Sequence, residues 1–171
     1  MLLLLFRHGI AEDVGPAGDD ASRRLTPRGR RRTAQAAAGL LKVCEKPDAI
    51  LTSPKARAAQ TAAILGEAFD VHPQTAPALA RDTDAILALL RGRAEATVML
   101  VGHEPMLSDV AERLCAGADG AGHAFIDLKK AGCICLDVPD LASVGHARLV
   151  WVLPPRVLRA LADAPPDGED E

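Results

Sequence analysis

The sequence predicts an α/β fold: a three-layer α/β/α sandwich around a mostly parallel central sheet. Three observations predict it. Apolar runs of strand length alternate with Ala- and Leu-rich stretches of helix length. Two cap-plus-proline pairs, Thr26-Pro27 and Ser53-Pro54, stand where helices would open. With three Phe, one Trp and no Tyr, the core must be built from Ala, Leu, Val and Ile, which suits close packing of helices on a sheet.

The elements follow in order. Leu2 to Phe6 is an apolar run stopped by Arg7 and Gly9, too short for a helix and read as a buried strand. Glu12 to Ser22 is a Gly/Asp-rich loop. Thr26-Pro27 opens a helix to about Lys42, and Pro47 closes that region. Ala49 to Thr52 is the second strand. Ser53-Pro54 should cap a helix that runs to about Phe69. Val71 to Ala78, with two prolines, is irregular with room for a short strand. Asp82 or Thr83 caps a helix through about Arg91. Thr97 to Val101 is the third apolar strand, ended by Gly102, and Glu104-Pro105 starts a helix to about Ala116. Gly117 to Gly122 reads as a loop. Gly132 to Val138 and Ala147 to Leu153 read as an antiparallel pair, and Pro155 to Ala162 as a terminal helical turn.

At 171 residues the chain fits one domain, placed at residues 1–162, with an acidic solvated tail over 163–171. A chain of this size buries roughly 70% of its unfolded surface, so it needs no disulfide or metal to fold. Net charge is −3 and the pI is near 5.9, which argues against a nucleic-acid partner, since that binding rests on neutralising phosphates. Aromatic platforms for stacking bases are missing too. Cys44, Cys115, Cys133 and Cys135 form no C-x-x-C pair and read as free thiols of a reducing cytoplasm. Met1 to Phe6 lacks a basic start, and Arg7 interrupts it short of the about 7–15 apolar residues of a secretory leader. No run approaches the ~20 apolar residues of a membrane span. The expectation is a cytoplasmic protein with no membrane contact.

Chemistry gathers after the three apolar strands. The first ends in Arg7-His8-Gly9, the second in Ser53-Pro54 with Arg57 close behind, the third in Gly102-His103-Glu104-Pro105. In a parallel sheet, these carboxyl ends share one edge, where α/β proteins place their sites. Two imidazoles and two guanidiniums would then meet around one tetrahedral anion. Guanidiniums match phosphate oxygens. A neutral imidazole held in one tautomer is a nucleophile. His8 takes that role: Nδ1 is expected to donate to the Gly9 carbonyl, leaving Nε2 to attack phosphorus. His103 is expected to hydrogen-bond the phosphoryl group and, if protonated, to stabilise its charge.

These residues resemble the histidine phosphatase superfamily, also called phosphoglycerate mutase-like. The resemblance rests on Arg7-His8-Gly9, Leu25-Thr26 with Gly29, Ser53-Pro54 with Arg57-Ala58 and Gln60-Thr61, and Gly102-His103-Glu104-Pro105. Within it, the sequence most resembles SixA-type phosphohistidine phosphatases, by its short length, by Arg23-x-Leu25-Thr26-x-x-Gly29 and by Trp151-Val152-Leu153-Pro154-Pro155. The resemblance implies a mechanism without metal or cofactor, in which phosphate moves to His8 and water releases it. It also implies that Arg7, Arg57 and His103 surround the phosphate. Many relatives carry an acidic proton donor after the second helix; here only Asp82 is near, with Glu104 and Glu12 as alternatives. A phosphoramidate leaving group needs less proton help than an alkoxide, so a weak acid favours phosphohistidine as substrate.

Gly9, Arg23, Ser53 and Glu104 are expected to help bind substrate. For Arg23, a solvated loop position is an equal alternative, and for Ser53 capping is the primary expectation. Arg28, Arg30, Arg31 and Arg32 form a basic run that is either a solvated face or a dock for an acidic partner. Thr61, four residues after Arg57, should support packing or the Arg. Three functions compete: a phosphatase for phosphohistidine on a protein partner, a phosphatase for small phosphate esters, and a phosphate-binding module without catalysis.

Overall fold

The computed structural model describes residues 1–117, 126–142 and 144–163. The strands are β1 (Leu2–Arg7), β2 (Ala49–Thr52), β3 (Gln74–Thr75), β4 (Thr97–Gly102), β5 (Cys133–Asp137) and β6 (Arg148–Leu153). The helices are α1 (Pro27–Leu40), α2 (Ala56–Phe69), α3 (Thr83–Arg91), α4 (Met106–Ala116) and α5 (Pro155–Asp163), with a 3₁₀ turn at Pro77–Ala80. They form one six-stranded sheet in the order β3-β2-β4-β1-β5-β6. Strands β3, β2, β4 and β1 pair in parallel, while β5 pairs antiparallel with both β1 and β6. This is the mostly parallel α/β sandwich that the alternation of strands and helices predicts.

Strand periodicity explains the three layers. Leu3 and Leu5 of β1, with Val98 and Leu100 of β4, face one side and pack on Ile86 and Leu90 of α3 and on Leu107, Val110 and Leu114 of α4. Leu4 and Phe6, with Met99 and Val101, face the other side and pack on Ala36, Ala37 and Leu40 of α1, Ala62 and Leu65 of α2, and Leu158 of α5. Both faces are covered, so the strands read as unbroken apolar runs rather than alternating ones. Small residues let the helices close up. A Cβ on Gly39 of α1 would lie 1.7 Å from the Leu158 carbonyl oxygen of α5. All four cysteines are free; Cys133 and Cys135 are buried, while Cys44 and Cys115 are half-buried. Burial pushes the Cys44 thiol up to about 12 and that of Cys135 to about 11, which leaves both unreactive.

The capping expectations divide. Thr26 caps α1, its hydroxyl accepting from the Gly29 amide at 2.9 Å. Ser53 does not cap α2, which starts at Ala56 after Lys55 and has no side-chain cap. Its hydroxyl is committed elsewhere, as described below. Pro105 precedes α4 instead of entering it. Most of the Gly117–Gly122 loop, and the acidic tail after Asp163, lie outside the described residues. Among the described residues no helix is long and apolar enough to cross a membrane.

Candidate active site

Register brings the site together. Arg7 pairs with Gly102 across β1 and β4, and Thr52 pairs with Val101 across β2 and β4. The residues that follow, His8, His103 and Ser53, therefore leave the sheet side by side. The His8 amide still donates to the Gly102 carbonyl at 3.0 Å, and the Ser53 amide to that of Val101 at 3.0 Å. The His8 and His103 rings stand 5.1 Å apart between centroids, tilted at 55°. His8, His103 and Arg57 are only 5–6% exposed.

His8 is held in one orientation. Its Nδ1 lies 2.7 Å from the Gly9 carbonyl, an acceptor, so Nδ1 carries the proton. Nε2 then keeps its lone pair and accepts from Arg57 Nε at 3.3 Å. Burial, opposed by the Gly9 bond and reinforced by the charges of Arg57, Arg7 and Lys130, lowers its pKa to about 4. His8 is therefore neutral at pH 7. Burial and then the neighbouring His8, Arg57 and Lys55 bring His103 down to about 3, against a weaker upward pull from Asp20. His103 is thus also neutral in the ligand-free protein, and positive charge on it would have to be induced by an anion. Its Nε2 lies 2.8 Å from the Ser53 hydroxyl, while Nδ1 is buried without a hydrogen-bond partner.

Gly9 belongs to this geometry. A Cβ there would lie 2.3 Å from Thr33 Oγ1 of α1, so the loop after β1 runs too close to α1 to take a side chain unless Thr33 shifts. The Gly9 amide donates to Thr61 Oγ1 at 3.0 Å, and that hydroxyl donates to the Arg57 carbonyl at 2.8 Å. Thr61, fully buried, therefore ties the His8 loop to the turn of α2 that presents Arg57.

Arg57 is fixed at its far end by Asp20. Nη1 donates to the Asp20 carbonyl at 2.6 Å and Nη2 to its carboxylate at 3.1 Å. The same carboxylate accepts from Lys55 Nζ at 2.8 Å and from Arg23 Nη1 at 2.9 Å. These three bonds hold Asp20 well below the usual carboxylate range. Sequence reasoning missed Asp20, because nothing in a Gly/Asp-rich loop marks one acid above its neighbours. Lys55 was missed for a similar reason: it lies between a Ser-Pro pair and a helix and resembles any surface lysine.

The remaining expected residues separate. Arg7 donates to the Leu128 carbonyl at 2.8 Å, and its Nε is buried without a partner. Arg23 is committed to Asp20 and to the Glu12 carbonyl at 2.6 Å, so it braces the loop that holds Arg57. Ser53, expected chiefly as a cap, instead sits against His103 and receives the Lys55 amide at 3.3 Å. Of the three acids considered, Asp82 caps α3 through Ala85, and Glu12 receives the Arg24 amide. Glu104 differs. It is half-buried, one carboxylate oxygen has no partner, and burial raises its pKa, against weaker downward pulls from Ser108 and Arg7.

A sequence profile described as the histidine phosphatase superfamily, branch 1, matches residues 3–82. The chain belongs to the histidine phosphatase superfamily. Its architecture is the phosphoglycerate mutase-like fold of that superfamily. The structure of the protein histidine phosphatase SixA complexed with tungstate superposes with a TM-score of 0.78 at 22% identity, covering 92% of this chain and 99% of that one. A protein of Agrobacterium tumefaciens assigned as phosphohistidine phosphatase SixA gives 0.75 at 26% identity, over 89% of this chain and 96% of that one. An uncharacterized protein of Picosynechococcus is 42% identical over 142 residues, which covers 80% of this chain and 84% of the relative. Membership in this superfamily, with SixA structures among the matches, supports phosphatase activity.

Proposed function

We propose that the protein is a phosphohistidine phosphatase, removing phosphate from a phosphorylated histidine of a protein through a phospho-His8 intermediate. One observation carries the reading: His8 Nε2 holds an unprotonated lone pair beside Arg57, with Nδ1 anchored on Gly9. Nε2 attacks phosphorus, and the P–N bond to the substrate imidazole breaks. That imidazole leaves with the electron pair and takes a proton. Water then attacks the phosphoryl group on His8, the new P–N bond breaks, and inorganic phosphate departs.

The other groups stabilise charge that develops on the phosphoryl oxygens. Arg7 and Arg57 supply guanidiniums, so the mechanism calls for no metal. Burial and then positive neighbours depress His103; a phosphoryl dianion opposes both, so its pKa rises and the ring can donate a proton to an oxygen. Glu104 is the carboxyl suited to hold the leaving-group proton, since Asp82 and Glu12 are occupied as braces. A P–N bond needs little such help, which keeps phosphohistidine ahead of sugar phosphates as substrate.

The test compares kcat/KM for a phosphohistidine peptide with that for sugar phosphates. The peptide is expected to be turned over faster, and Arg57→Ala to lose that activity while remaining folded by circular dichroism. Faster turnover of the esters would assign the protein to small substrates. Phosphate binding without turnover of any substrate would make it a binding module.

A further inference from the structure

Beside the His8 site lies a cavity of about 390 Å³, lined by Arg7, Arg32, Lys129, Lys130, Arg156 and Arg159 among its residues, with no acid. Arg7 belongs to both. The Ala131 amide, in the loop that carries Lys129 and Lys130, donates to the Arg7 and His8 carbonyls at 3.0 and 3.2 Å. The cavity thus opens one residue from His8.

The cations come from three separate places: α1, the loop before β5, and α5. Helix α1 contains no acidic residue, and α5 contains none before Asp163. Arg32, Lys130, Arg156 and Arg159 make no ion pair within the described residues, and Lys129 pairs only with the exposed Asp127. Desolvation and then the charges of Arg28, Arg159 and Arg31 lower the pKa of Arg32, so guanidiniums of two helices crowd one another. Arg28 stands in the first turn of α1 and Arg156 in the first turn of α5, where the helix dipole disfavours cations. A chain with net charge −3 has therefore concentrated positive charge on one face at local cost. The concentration exceeds what one phosphoryl group needs, and Lys129, Lys130 and Arg156 are exposed while Arg7, Arg32 and Arg159 are half-buried.

We infer that this basic groove docks an acidic segment of the phosphoprotein, seating Asp or Glu side chains near the phosphohistidine. The inference rests on the proposed function and names the class of partner it acts on. Its spread over two helices and a loop fits an extended peptide with several carboxylates better than a single small anion.

The test uses two phosphohistidine peptides of equal length, one with Glu flanking the histidine and one with Gln. Wild-type protein at low salt is expected to prefer the Glu peptide by about tenfold in kcat/KM, through KM, as several partly exposed ion pairs would give. In the double variant Arg156→Gln, Arg159→Gln the two peptides are expected to converge. Equal kcat/KM in the wild type, or a preference that survives the double variant, would overturn the groove. Failure of the functional reading is distinguishable, because then neither peptide is turned over. In that case anisotropy of a labelled, unphosphorylated Glu peptide still decides: binding weakened by the double variant supports the groove, and binding indifferent to it refutes the groove. Binding of inorganic tripolyphosphate without binding of the Glu peptide would make the occupant a small polyanion and overturn the proposal.

Discussion

Replacing Thr61 by Val removes a hydroxyl and keeps the side chain's shape. The hydroxyl accepts from the Gly9 amide and donates to the Arg57 carbonyl in a fully buried position. In the variant the Arg57 carbonyl keeps its place in the helix ladder, but the Gly9 amide is left buried and unpaired. Leaving such a donor unsatisfied costs about 1–3 kcal/mol. For a chain of this length, 2 kcal/mol corresponds to a fall in Tm of about 4–8 °C. Gly9 also carries the carbonyl that orients His8, so kcat should fall by about tenfold or more as the ring loses its anchor. Thr61→Ser supplies the control. It deletes one methyl group at about 1 kcal/mol but keeps the hydroxyl, so it should retain kcat. Urea unfolding followed by circular dichroism, with steady-state kinetics on the same preparations, reads both effects. Valine with wild-type stability and kcat, or serine as impaired in kcat as valine, would refute the claim that this hydroxyl couples the two loops.

Other perturbations test the same network. Asp20→Asn leaves the Asp20 carbonyl on Arg57 but removes the carboxylate shared by Lys55, Arg57 and Arg23, and should lower kcat about tenfold with little loss of stability, since exposed ion pairs contribute about 0.2–1 kcal/mol each. A lower KM with unchanged kcat would show that Asp20 competes with substrate instead of aligning Arg57. The histidine pair predicts a pH dependence of stability. Both rings have folded pKa values, about 4 and about 3, below the unfolded 6.5, so the unfolded chain takes up protons first. Stability should be level above pH 6.5 and fall as pH drops from 6.5 towards 4, and 10 mM phosphate should reduce the fall by favouring the protonated rings. A stability that rises over that interval would contradict the buried neutral pair.

What the sequence could say follows from which interactions are local. The strands were legible because Leu2–Phe6, Ala49–Thr52 and Thr97–Val101 are apolar runs bounded by charges, prolines or glycines. Their parallel order placed Arg7, His8, Arg57 and His103 on one edge. Details that depend on tertiary partners were not legible. Ser53 has the composition of a helix cap, yet its hydroxyl faces His103, a residue fifty positions away in sequence. Arg23 sits in a motif suggestive of substrate contact, but Asp20 and the Glu12 carbonyl hold it. Asp82, by contrast, caps α3 as its local sequence predicts, which removes it as a proton donor. The basic run of α1 acquired meaning only when α5 and the Lys129–Lys130 loop were seen to add their charges to it.

In the proposed mechanism His8 Nε2 carries the phosphoryl group during turnover. A rapid quench of the protein with ³²P-labelled phosphohistidine peptide, followed by mapping of the acid-labile label, measures this directly. Label is expected on His8, and none in His8→Ala. Undiminished turnover by His8→Ala, or label on another residue, would contradict it.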